Sequence, residues 1–104
     1  MIIEIKALVE KINPAYTKSG NGKETLVQTI ILKVPGYVDQ FGDKKGDDEY
    51  FEATLFNDKI KKLNLDPYEL EGAKVKAKCF LNSNYYKEKN TYILNLLLHT
   101  LEVV

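Results

Sequence analysis

Along the chain, apolar and polar positions alternate in several separate runs, and the runs predict strands. In residues 2–12, "IIEIKALVEKI", a period of two places Ile3, Ile5, Ala7 and Val9 on one face. Residues 25–34, "TLVQTIILKV", are β-branched and apolar, which predicts a strand buried on much of both faces. In residues 49–56, "EYFEATLF", Phe51, Ala53 and Leu55 form a core face, and Tyr50, Glu52, Thr54 and Phe56 point the other way. Residues 73–82, "AKVKAKCFLN", set Lys74, Lys76 and Lys78 against Val75, Ala77 and Cys79. Residues 91–104, "TYILNLLLHTLEVV", predict a long closing strand, apolar on both faces from Ile93 to Leu98. That surplus of apolar surface points to an oligomer interface or to coverage by a neighbouring element.

Between the strands lie polar segments. Residues 13–24, "NPAYTKSGNGKE", and 35–48, "PGYVDQFGDKKGDD", read as Gly-containing loops, and 83–90, "SNYYKEKN", as a hairpin tip. Residues 57–71, "NDKIKKLNLDPYELE", break the two-residue period. Asn57 is placed to cap a helix on which Ile60 and Leu63 share a face. Asp66, Pro67 and Glu69 then look like a second start, with Asp66 as cap and Glu69 at the capping-box position, and Gly72 as a stop. This predicts a short helix broken in two. Five strands with a short helix between the third and fourth define a mainly β chain. The order is that of the OB-fold, a five-stranded Greek-key barrel. An SH3-like barrel lacks a helix at that point, and a ferredoxin-like fold needs two longer ones. Closure would remove the exposed edges of such long strands.

Composition narrows the function. The 104 residues fit one domain, 1–104, and a hydrophobic content of 44% is too high for a disordered chain. Fifteen basic and fifteen acidic residues cancel, which argues against a polybasic arm but not against a local basic groove. Every basic residue is Lys. Without a guanidinium fork, bidentate reading of guanine in the major groove is not expected. Cys79 is the lone cysteine, which excludes an internal disulfide and a cysteine-rich zinc site. The charged "MIIEIKALVE" start is unlike a signal peptide, and no apolar run reaches about 18 residues, so a cytoplasmic chain with no membrane segment is expected.

"EYFEATLF", a helix, and "EGAKVKAKCFLNSNYY" together resemble the bacterial single-stranded DNA-binding protein family. In that family the third strand carries one aromatic just after a Glu and a second in an "LF" ending. Tyr50 and Phe56 match these positions. Gly72, Val75 and Tyr86 (or Tyr85) match the fourth strand and the start of its long hairpin, and "YTKSGNGKE" is similar to the loop between the first two strands. The likeness spans nearly the whole chain through short motifs. It departs from the family in having no Trp and no Arg, and in ending at "LEVV" without an acidic tip. It therefore implies a divergent member without tail-mediated recruitment of partners. It also implies assembly of several copies, a dimer or tetramer.

The candidate chemistry is base stacking plus phosphate contact. Stacking contributes roughly 1–3 kcal/mol per base and tolerates any sequence. Tyr50 and Phe56 stand about 20 Å apart along one strand. Val27, Thr29 and Ile31 would form a neutral floor beside them. Lys18 and Lys23 in the first loop, and Lys87 and Lys89 at the last hairpin, would reach phosphates, while Tyr16, Tyr85 and Tyr86 would add loop aromatics. Each aromatic has a plainer role open to it, since Tyr is common on half-exposed strands and Phe56 could cover the helix. The Lys74, Lys76 and Lys78 stripe reads as a solvated face. Glu52 and "GDD" weaken the local positive field. Catalysis is not expected: His99 is the lone histidine on an apolar strand, and Cys79 reads as an inert buried thiol. The acidic residues of "GDKKGDDEYFE" lack EF-hand spacing and "SGNGK" lacks that of a P-loop, so no metal or cofactor is expected. The expected function is binding of single-stranded DNA without sequence preference, with RNA or oligosaccharide, or a polypeptide met by the same aromatic face, as alternative partners.

Overall fold

The computed structural model describes residues 1–104 and is mainly β. Its elements are β1 (Ile2–Ile12), β2 (Tyr16–Gly20), β3 (Lys23–Val34), β4 (Tyr37–Val38), β5 (Lys44–Lys45), β6 (Glu49–Phe56), α1 (Asp58–Leu63), α2 (Pro67–Leu70), β7 (Lys74–Tyr86) and β8 (Thr91–Val103). The main sheet runs β1-β7-β8-β6-β3-β2, and β1 also pairs with β3. Five strands thus close on themselves, and β2 hangs on the outer part of β3. All the pairings are antiparallel except β6 with β8, which run parallel through Ala53–Leu96 and Thr54–Leu97.

Closure depends on β1. Its first part, Ile2 to Leu8, pairs with β7, and its last part, Leu8 to Ile12, pairs with β3. A register shift between Val9 and Lys11 inserts one extra residue there. The bulge bends the strand and resets its alternation, so Val9 and Ile12 both turn inward. A second shift, between Lys78 and Cys79 on β7, leaves His99 as the extra residue on β8. Ile30, Leu32, Ala53, Ala77 and Cys79 are fully enclosed, with Val9, Leu55 and Val75 almost so. Leu55 and Cys79 lie where the two-residue period puts them. Burial raises the Cys79 pKa above its usual value, because the thiolate would lose its water.

Four expectations need correction. Residues 13–24 are not a plain loop: Tyr16 to Gly20 pair with Lys23 to Val27 as a β-ribbon. Its two-residue turn is Asn21-Gly22, both with positive φ (51° and 74°), the geometry that matches strand twist. Residues 35–48 contain a second small hairpin, β4–β5, whose base is tight enough that a Cβ on Gly36 would collide with the Gly46 carbonyl oxygen. The last hairpin tip is shorter than 83–90, since β7 continues to Tyr86. Asn57 stands before α1 but does not cap it with its side chain. At φ 46° its Oδ1 accepts from the Leu26 amide (3.0 Å) while its own amide donates to the Leu26 carbonyl (2.9 Å). It clamps β6 to β3 one step past the Val27–Phe56 pair. The broken helix is as expected: Asp66 Oδ1 accepts from the Tyr68 amide, Pro67 opens α2, and Gly72 follows its end at φ 87°.

Candidate nucleic-acid interface

The outer face of β6 carries Tyr50 and Phe56, 56% and 42% exposed, beyond an enclosed Ala53 and Leu55. Their surroundings come from the register with β3. Phe56 lies opposite Val27, and Val27 lies opposite Tyr16 on the other side. Tyr16, Val27 and Phe56 therefore form one cross-strand row on one face. The two aromatics shield Val27, which is only 4% exposed and so is not part of an open floor. Thr29 and Ile31, opposite Thr54 and Glu52, are the part of the expected floor that stays partly open.

Lys18 pairs with Thr25 and Gly20 with Lys23, so the alternation from Tyr16 puts Lys18 and Lys23 on the face of Tyr16 and Phe56. One sheet face thus gathers Tyr16, Lys18, Lys23, Phe56 and Tyr50. Lys33 was missed in the sequence, although it follows Val27, Thr29 and Ile31 in the same alternation. It lies opposite Tyr50. Its ammonium is 3.7 Å from Asp48, which also takes Lys44 at 3.0 Å and accepts from the Gly36 amide at 2.9 Å. That amide bond first, then the bond from Lys44 and the charges of Lys44 and Lys33, hold the Asp48 carboxyl below its ordinary pKa despite some desolvation.

The β7–β8 hairpin forms the other arm. Tyr85 and Tyr86 are exposed strand residues on opposite faces, not loop aromatics. Tyr86, opposite Thr91, belongs by alternation to the side of Thr54 and Leu97, hence to the side of Tyr50 and Phe56. Tyr85 packs on Tyr92 across the hairpin (ring centroids 5.0 Å apart, tilted 49°), and its hydroxyl bonds Asn90. Lys87 and Lys89 lie in the turn. From their single parallel contact, β6 and β8 diverge toward their N-terminal ends. A groove of about 590 Å³ opens between them, lined by Tyr50, Glu52, Thr54, Leu94 and Asn95 over a floor that includes Leu96. Leu94 and Asn95 were not singled out in the sequence. The exposed Leu94 is half of the signal, since an apolar run longer than the core needs must show somewhere.

The Lys74, Lys76 and Lys78 stripe lies on the outer face of β7 against β1, with Lys76 3.7 Å from Glu4. It is separate from the Tyr50 face. No group of three or more His, Cys, Asp or Glu side chains is arranged to hold a metal, and no helix is long and apolar enough to cross a membrane. Family models and curated proteins give no match to this chain.

Proposed function

We propose that the chain is an OB-fold that binds single-stranded DNA without catalysis and without strict sequence preference, in the cytoplasm, serving replication, recombination or repair. The fold assignment is supported by the ring β1-β7-β8-β6-β3-β1 with one parallel pair and with helices between β6 and β7. The observation that carries the function is the outer face of β6. Two exposed rings, Tyr50 and Phe56, stand about 20 Å apart there. They lie between a β2–β3 arm bearing Tyr16, Lys18 and Lys23 and a β7–β8 arm bearing Tyr86, Lys87 and Lys89. Bases stack on the rings, and the ammonium groups follow the backbone.

Assembly into a dimer or tetramer is part of the proposal. Ile2, Phe80 and Leu97 lie in register across β1, β7 and β8, with Ile2 56% exposed and the Phe80 ring tilted on His99 (centroids 4.9 Å). This apolar row suits a second copy, and several sites on one strand raise avidity. Anisotropy titration with oligo-dT, oligo-rU and duplex at two salt concentrations tests the function, with light scattering in parallel for assembly. Tighter binding of oligo-dT than duplex, weakening with salt, is the expected result. Absence of oligo-dT binding at micromolar protein and low salt overturns it, and a strict monomer removes the apolar-row contact.

A further inference from the structure

The groove between β6 and β8 has walls of unlike chemistry. The exposed Tyr50 and Leu94 offer flat or apolar surface, and Leu81, Ile3 and Leu96 are half-buried. The lining also includes a carboxylate, Glu52, and two neutral polar groups, Thr54 and Asn95. Strand pairing between β6 and β8 stops at Ala53 and Leu96, so no ladder bridges the two strands beyond that pair. A volume of about 590 Å³ lies within the range of small-molecule sites.

Glu52 is the one charged residue that lines the groove. It enters no ion pair. Its partner across the ladder is Ile31, and the diagonal Lys33 is held by Asp48. A free carboxylate beside a stacking ring repels a phosphate, so as a backbone contact it is misplaced. Toward a base edge it is a strong acceptor with no hydrogen to donate. Cytosine, adenine and guanine present exocyclic amino hydrogens. Uracil and thymine present carbonyl oxygens there, flanking a single N–H. A carboxylate accepts from the first group and repels the carbonyls of the second. Asn95, with donor and acceptor on one amide, can serve the neighbouring ring positions of either.

Building on the single-strand reading above, we propose that this groove seats one base edge-on beside Tyr50, and that Glu52 selects a base with an exocyclic amino group over uracil or thymine. General affinity comes from the stacking face and the lysines. The groove adds a preference at one nucleotide per domain.

Oligo-dC and oligo-dU of equal length test the effect, because the two bases differ only along this edge: an amino group beside a bare ring nitrogen in one, an oxo group beside a ring N–H in the other. The chain should bind oligo-dC about tenfold more tightly at neutral pH. Glu52→Gln, whose amide meets either base, should bring the ratio close to one mainly by strengthening oligo-dU. The variant's thermal midpoint should match the parent's, since Glu52 is exposed. Equal binding of the two oligonucleotides by the parent overturns the selection while leaving the function standing. So does an equal gain for both in the variant, which would make Glu52 only a general repeller of phosphate. Binding of neither overturns the function and the selection together.

Discussion

Tyr50 and Phe56 share a strand face, but they are not equivalent residues. Phe56 covers Val27 together with Tyr16, whereas Tyr50 faces Lys33 and the open groove. Removing the Phe56 ring uncovers a side chain that the fold keeps dry. Phe56→Ala should therefore cost about 1 kcal/mol of stability from the apolar area returned to water. Tyr50→Ala should stay within about 0.5 kcal/mol, as an exposed substitution with no buried partner. Both should weaken oligonucleotide binding by roughly 1–3 kcal/mol if each ring stacks a base. Urea unfolding and anisotropy on the same two variants separate the roles. Stability losses in the reverse order would show that Val27 does not depend on Phe56.

At the scale of elements, Asp48 ties the β4–β5 hairpin to the ring. Its carboxylate holds the Gly36 amide and both Lys33 and Lys44. Because these partners favour the charged form, the folded-state pKa lies below the ordinary 3.8. The contribution is therefore complete above that value and fades as pH falls through the lowered one. Asp48→Ala should destabilise the hairpin by the same amount from neutral pH down to about 4, and the difference from the parent should vanish in stronger acid. Amide exchange at Gly36, compared between parent and variant across that range, reads it. A difference that persists fully below the lowered pKa would mean that the side chain acts by packing and not by charge. This hairpin and β2 show where the sequence was hard to read. β1 and β6 have the expected bounds because one of their faces is enclosed, which imposes a hydrophobic period of two. All five residues of β2 are exposed, so no apolar pattern marks it, and only the Asn21-Gly22 turn betrays the ribbon. For the site, outward aromatics were visible by alternation. Alternation also put Lys33 on that face and the over-long apolar run hinted at Leu94, but what makes them and Asn95 part of the site is the cross-strand register with Tyr50 and the divergence of β6 from β8, and neither is written in any local run.

The whole molecule is a small closed core with arms. Its radius of gyration is 15.8 Å, against about 13 Å for a compact chain of this length, and its extents are 57 × 37 × 21 Å. No residue between Leu81 and Leu97 is among the buried set, so the outer half of the β7–β8 hairpin gives little to the core. Its contribution lies in the Tyr85–Tyr92 stack, the groove wall at Leu94 and the two turn lysines. Core and arm should therefore separate experimentally. Asn82 and Asn95 face each other across the hairpin, so an Asn-Gly turn joining them in place of residues 83–94 keeps the register of everything below. The shortened chain should unfold cooperatively within a few degrees of the parent, because no enclosed side chain has been removed. Its affinity for single strands should fall, and its salt slope should become shallower by about 1.4, some 0.7 for each lysine lost. Loss of cooperative unfolding would show that the arm is part of the core. Unchanged affinity with an unchanged salt slope would confine the binding surface to β2, β3 and β6.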